Sequence, residues 1–408
     1  MTKRNIFATA LFIYLFLAAF TYHPDIKTIF YQTQFLTKGV FNIYSFFAAN
    51  PEKAYLGPFV YPPLAYFLYG IFFIPVKLIA GSGFVQWLGM GNDAVGVTHI
   101  FRYLFALKIP AIVIHFISAF VITGFFQDKS LQKKALLFWF FNPVSIYVVV
   151  FMGQIDAMAV LLSILALFYA NKKPLFSSFL LGLGGAIKTY PLLLIPYLAI
   201  IAGSSWKRRA LNIAIGFAAY LIFVMPFLKT PAFFSSTFVS GLSQRLFEAR
   251  ILLGYGENIL IIPVILLILF FVTIGKTFTK PDIKFLWVVF LAITLTVVTG
   301  VHFHPQWMLW CLPFITLYFV KNINSFKGEV WFISILFLIG WLGTIIFFDD
   351  KFLTWGIISP LDNGILLLPT LSQIIKPIFD PLLIQSLFHT LLIASGAGMI
   401  YRCFKENV

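Results

Sequence analysis

FMGQIDAMAVLL, residues 151–162, sets a carboxylate inside an apolar stretch. From Ala135 to Ala170 the chain runs 36 residues with one charged side chain, Asp156, and Gln154 stands two residues before it. Val148, Val149, Val150 and Phe151 lie just ahead, and the residues after Met158 are equally apolar. A charge inside a membrane span costs roughly 2.5–3.5 kcal/mol on insertion scales, so it normally faces a water-filled cavity or a partner. Two readings of Gly153–Asp156 stand open. It is either a plain turn at the membrane surface, or a polar turn that opens onto a pocket. In the second case the glutamine and carboxylate suit a sugar hydroxyl or a lipid headgroup.

The surrounding chain says what environment that turn meets. Hydrophobic residues make up 61% and charged residues 11%, against about 25% charged in a soluble domain. Apolar runs recur at about 17–25 residues, the length that crosses a hydrocarbon core roughly 30 Å thick. The expected fold is all-α: a polytopic membrane protein with about 11–13 transmembrane helices, one transmembrane domain over residues 1–408. Residues 1–21 have a basic start and an apolar run with no small-residue cleavage pattern, and read as a retained first span. Cys311 and Cys403 lie far apart in or beside apolar runs, which argues against a disulfide framework.

The net charge of +15 is spread over short connectors rather than gathered on one face. These connectors are Gln127–Lys134, Asn171–Pro174, Ser204–Arg209, Lys276–Lys284 and Lys321–Glu329. With Lys3, Arg4, Arg402 and Lys405 they read as cytoplasmic by the positive-inside rule, in a multi-pass protein of the cell membrane with its N-terminus inside. Membrane lipids, not nucleic acid, are the implied partners. The segments 22–61, 152–156, 188–190, 229–258, 301–307 and 349–382 alternate with the basic ones and so share the outer face. Parity fails near the start: if 62–80 and 103–126 both cross, the basic 127–134 connector lands outside. One early segment is therefore re-entrant or interfacial, with YPPL (61–64) the place for it.

The outer face gathers the residues able to do chemistry. Asp25, in TYHPDIKTIFY (21–31), is either a solvated loop carboxylate or a general base at the membrane surface. The aromatic loop 22–61 is expected to pack as interfacial helices; 229–258 and 349–382 are further outer loops. Tyr61 opens YPPL, whose prolines suit a helix start, and can face the site. In LLGLGGAIKTYPLLLIP (180–196), Gly182, Gly184 and Gly185 suit close helix packing. Lys188, before Tyr190, either holds a phosphate, snorkels to headgroups or pairs with Asp156. SQRLFEARILLGYGEN (243–258) is expected to be an amphipathic surface helix carrying Arg245, Glu248 and Arg250. VTGVHFHPQWMLW (298–310) offers His302, His304 and Gln306 for phosphate or sugar; a zinc site would want a third ligand nearby. His115, inside an apolar run, reads as a hydrogen-bonded core or cavity residue.

The order of these pieces resembles the GT-C superfamily of membrane glycosyltransferases, nearest its bacterial polyprenyl-phosphate-mannose-dependent branch. The likeness rests on Asp25 after the first span, YPPL, FNP…GQIDA (141–157), GLGGAIKTYPLLLIP (182–196) and HFHPQW followed by LPF (302–314), and covers roughly residues 1–320. It implies inverting transfer of mannose or another hexose, on the outer face, from a polyprenyl-phosphate sugar to a glycolipid or glycan acceptor. Asp25 would be the catalytic base, basic residues such as Lys188 would hold the phosphate, and Gln154 with Asp156 would flank the sugar. This chain departs from the pattern in having Lys27 where many relatives place a second acid, and His115 where many place an aspartate. No cofactor is called for, because the donor's leaving group is already a phosphate ester; a divalent metal is left open. The competing classes are a transporter or lipid flippase, which would show internal repeats and mid-span polar groups, and a lipid-diphosphate-dependent ligase or polymerase, which would show an arginine-rich late outer loop. A purely structural subunit would not account for the one-sided polar set.

Overall fold

The computed structural model describes residues 2–238, 244–278, 282–323 and 328–407. Residues 239–243 of the loop 229–258, 279–281 of the connector Lys276–Lys284 and 324–327 of the connector Lys321–Glu329 lie outside the described residues. The chain is an all-α polytopic membrane protein. Seven described helices are long and apolar enough to cross a bilayer: Lys3–Phe20, Pro63–Ala80, Ile100–Thr123, Trp206–Phe227, Ile283–Gly300, Gly328–Ile346 and Pro381–Glu406. An eighth is a broken pair, Lys129–Phe141 and Pro143–Met152, bent by 46°. Pro143 follows Asn142 at the break, where a missing N–H and a ring clash stop a straight helix. Beyond it the backbone widens into a π-helix, Ile146–Met152, which ends at Gly153 in a left-handed conformation.

Several apolar segments are helical yet short. Asp156–Tyr169 has 14 residues and Pro174–Gly185 has 12. At 1.5 Å per residue they reach about 21 and 18 Å, less than the roughly 30 Å of hydrocarbon. They pack against each other, so the Asp156 and Gly185 ends fall at buried turns while the Tyr169 and Pro174 ends meet the exposed connector 171–173.

Side-chain ties place some of the connectors at one end or the other. Lys3 Nζ donates to Gln132 Oε1, which joins the N-terminus to the QDKSLQKK connector. Arg402 meets Glu329 at 3.4 Å, which joins the last helix to the start of Gly328–Ile346. At the opposite end, Asp25 meets Gln154 and Asp156 meets Lys188. The helix Pro63–Ala80 does not return to the basic end. At its start Leu64 N donates to Ala186 O at 3.1 Å, and just past its end Tyr103 Oη donates to Ser82 O at 2.8 Å. Tyr103 lies five residues before Lys108, whose Nζ reaches Ala18 O at 3.1 Å, at the far end of the first span. Both ends of Pro63–Ala80 therefore belong to the site end.

The loop 22–61 folds into the helices Pro24–Thr33 and Ile43–Ala49 with short 3-10 turns between and after them. The expected surface helix at 243–258 is instead a hairpin. Strands Arg250–Gly254 and Glu257–Leu260 pair antiparallel, Ile251 opposite Ile259, after a single 3-10 turn at Arg245–Phe247. Gly254 and Gly256 have φ of +108° and +86°, a conformation that closes a tight turn and that helix geometry excludes.

The interior glycines allow close helix contact. A Cβ on Gly182 would lie 2.0 Å from the backbone oxygen of Gly216 on the helix Trp206–Val224. Gly182→Val should therefore lower stability by about 2–3 kcal/mol, an overpacking penalty with a backbone obstacle. The check is the midpoint of thermal unfolding in detergent; an unchanged midpoint would show that the two helices separate freely there.

Candidate active site

The site is built where the first span ends. His23 caps the helix Pro24–Thr33, accepting from Asp25 N at 3.3 Å, and Pro24 takes the first helical position. Asp25 thus falls in the first helical turn, where the backbone dipole favours a negative charge. Its Oδ2 accepts from Gln154 Nε2 at 2.8 Å and lies 3.7 Å from His23 Nδ1. The side chain is 39% exposed, and its other oxygen has no hydrogen bond among the described residues. Gln154 is buried, and its Oε1 has no partner.

Two residues on, Asp156 opens the helix Asp156–Tyr169 and is wholly buried. Trp310 Nε1 donates to its Oδ1 at 2.5 Å, and Lys188 Nζ lies 3.4 Å from both carboxylate oxygens. A carboxylate out of water persists only when paired and hydrogen-bonded; here an indole and an ammonium supply both. Of the three readings of Lys188, the pairing with Asp156 is the one present. The ammonium also lies 4.7 Å from the Tyr61 ring centroid and 5.8 Å from that of Trp310.

The aromatic rings continue the arrangement. Tyr190 stacks on Trp310 (4.3 Å), Trp310 on Trp307 (4.7 Å) and Trp307 on His304 (4.6 Å). Arg245 lies 5.9 Å from the Trp307 ring, and its Nη1 is buried without a partner among the described residues. Tyr61, Lys188, Tyr190, Arg245, Trp307 and Trp310 line a cavity of about 440 Å³ whose remaining walls are largely aliphatic and aromatic. The cavity therefore joins two cationic side chains to an apolar groove. Burial, and then the positive charges of Arg245 and Lys188, push His304 down to about 2. Partial desolvation and Arg245 also lower His302, so both imidazoles are neutral near pH 7 and the positive charge rests on Lys188 and Arg245.

Not every expected residue joins this group. Arg250 is exposed on the hairpin. His302 is exposed beside His304, and Gln306 is buried in the 3-10 turn Pro305–Trp307; neither lines the cavity. His115 is a core residue, 3.2 Å from Tyr14 Oη and stacked on Trp139. Four participants escaped the sequence reading: His23, Trp307, Trp310 and Lys108. Lys108 carried a usable signal, an ionisable group in an apolar run. It is wholly buried and donates to Ala18 O, Thr21 O and Thr21 Oγ1, so it ties down the end of the first span. Gly153, at φ +69°, packs against its Cγ and against Ile26. The backbone on both sides of the Asp25–Gln154 contact therefore rests on one lysine.

The model of the family described as glycosyltransferase family 87 matches residues 59–320, more than half of the chain. That span contains Tyr61, Gln154, Asp156, Lys188, Tyr190, Arg245 and the HFHPQW segment, and excludes Asp25. No curated protein and no solved structure matches the chain.

The Asp156–Lys188 pair should show strong energetic coupling. Asp156→Asn or Lys188→Met alone leaves one buried partner unsatisfied and should cost about 3–5 kcal/mol. The double variant should cost less than the sum by at least about 1 kcal/mol. A double-mutant cycle on unfolding in detergent measures this; additive losses would mean that the two groups do not interact.

Proposed function

We propose, for a chain that belongs to glycosyltransferase family 87, that the cavity receives a polyprenyl-phosphate sugar and that Asp25 activates the acceptor hydroxyl. The chain is a membrane glycosyltransferase. The finer reading rests on one observation: two cations, Lys188 and Arg245, face an apolar cavity, while Asp25, outside the cavity lining, keeps one oxygen without a hydrogen bond among the described residues. An amphiphilic phosphate ester presents the matching chemistry, an anion joined to hydrocarbon.

In this reading the acceptor oxygen attacks the anomeric carbon while Asp25 takes its proton on the unbonded oxygen. The bond between the anomeric carbon and the phosphate oxygen breaks, and configuration inverts. Polyprenyl phosphate leaves as an anion held by Lys188 and Arg245. Such donors, fixed where charge develops and away from water, stabilise the transition state more than they would in solution. Gln154 holds the other Asp25 oxygen and so orients the base, and its free Oε1 accepts from a sugar hydroxyl. Asp156 acts at one remove: with both oxygens engaged it positions Lys188 and Trp310. Tyr61, Tyr190 and the Trp307–Trp310 stack supply flat surfaces for the sugar and the first prenyl units. Arg250, His302 and Gln306 receive no contact role with the donor.

The basic end is cytoplasmic by the positive-inside rule, so the site faces outward and the N-terminus inward, in the cell membrane. The donor carries mannose or another hexose, and the acceptor is a glycolipid or glycan. A transporter or flippase is disfavoured by the family, and all cationic groups of the cavity lie at one membrane end.

Membranes containing the protein should transfer labelled sugar from a polyprenyl-phosphate donor to endogenous lipid acceptors. Asp25→Asn should lower kcat at least about 100-fold, the usual share of a general base. Transfer undiminished in Asp25→Asn would remove that residue from catalysis. Failure of the unaltered protein with every polyprenyl-phosphate sugar, but success with a lipid-diphosphate donor, would replace the donor class. Arg245→Gln should raise the donor KM about 10-fold, the worth of one hydrogen bond to a charged group. A lower kcat at constant KM would instead place Arg245 in the transition state alone.

A further inference from the structure

The hairpin Arg250–Leu260 is unlike a strand pair resting on a core. All five residues of its first strand are exposed, with Ile251, Leu252 and Leu253 at 53%, 75% and 59%. Tyr255, at the tip, has no shelter at all. A pair with one solvated face alternates apolar and polar residues, and an isolated hairpin is marginal in water. Three consecutive apolar residues make both faces of this one apolar.

What covers those faces follows from where the hairpin is rooted. Ile261 N donates to Ala249 O at 2.9 Å, so its base is the first turn of the apolar helix Ile261–Thr277. That helix turns Val264, Ile268, Phe271 and Val272 outward. The exposed apolar surface is therefore continuous from a helix of the membrane domain onto the hairpin. Just before it, Arg245, Leu246 and Phe247 line the cavity.

We propose that the hairpin Arg250–Leu260 lies in the headgroup layer of the bilayer and holds one wall of the cavity against the lipid. Unpaired strand edges carry free N–H and C=O groups, which bar it from the hydrocarbon centre. The exposed Glu257 carboxylate sets the same limit. Ile251, Leu252 and Leu253 meet the upper acyl chains, Arg250 reaches lipid phosphates, and Tyr255 takes the interfacial position typical of its ring. Its apolar side chains are expected to reach roughly 5–10 Å into the boundary between headgroups and acyl chains. The inference depends on the membrane-spanning fold and not on which sugar donor fills the cavity.

The test uses the full-length protein in vesicles of phosphatidylethanolamine and phosphatidylglycerol. The two native cysteines are buried, so Leu252→Cys takes an environment-sensitive fluorophore at an exposed position. Ile268→Cys serves as the lipid-facing reference and Lys172→Cys, on a basic connector, as the aqueous one. The Leu252 label should emit to the blue of the Lys172 label, and a nitroxide near the headgroup should quench it about two-fold more than one deep in the acyl chain, as the interfacial depth requires. Emission and iodide quenching equal to those of the Lys172 label would overturn the proposal. Stronger quenching by the deep nitroxide would overturn it also, by placing the hairpin in the hydrocarbon core.

Discussion

A carboxylate held out of water between an indole N–H and an ammonium is the constraint on which the site depends. Asp156 has no exposed surface, and Trp310 and Lys188 reach it from segments 154 and 32 residues away. Burial of an unpaired ion costs several kcal/mol, so each member makes the others' positions obligatory. The consequences run outward from this contact. Trp310 fixes the start of the helix Met308–Asn322 and, by stacking, places Tyr190, Trp307 and His304. Lys188 is brought to the cavity wall beside Tyr61. A charge that costs energy in the membrane is thus the device that registers three helical hairpins at one level.

A second cation does similar work for the opposite wall. Lys108 closes off the carbonyls at the end of the first span, groups that a helix C-terminus leaves unsatisfied. Its aliphatic stem supports the Gly153 turn, while the chain leaving the first span passes through His23 to Asp25. Asp25 and Gln154, 129 residues apart, therefore share a foundation in a third helix. The two lysines divide the labour: Lys108 meets only backbone and Thr21, whereas Lys188 faces open space. Only the second remains able to meet a ligand.

The placement of charge divides the cavity wall into a cationic part and an apolar part. Its imidazole neighbours are neutral near pH 7, so its positive charge is confined to Lys188 and Arg245 at one part of an otherwise apolar wall. Low polarisability around these cations strengthens their attraction for an anion. The same surroundings accept hydrocarbon at no cost.

Much of this was legible in local sequence. Hydropathy reports the solvent of each segment, so the all-α membrane class followed from the sequence, and so did the expectation that Asp25, Asp156, Lys188 and Arg245 lie toward one end. Asp156 in its apolar run also announced that it needed a partner. The identity of that partner did not follow, because Lys188 and Trp310 meet it through packing of separate helices, and hydropathy is blind to which helices touch. For the same reason the sequence required one early segment not to cross but left open which, and the apolar 18-residue helix Pro63–Ala80 was long enough to span. Its length was visible, but only the contacts of Leu64 with Ala186 and Ser82 with Tyr103 show that both ends stay on one side. The hairpin at 250–260 was hidden differently: charges spaced as on a helix face outweighed two glycines whose positive φ decides the turn. Sequence determined the solvent of each piece; tertiary structure decided which pieces meet and at which end, since pairing between separate helices is a property of the packed interior and not of any local pattern.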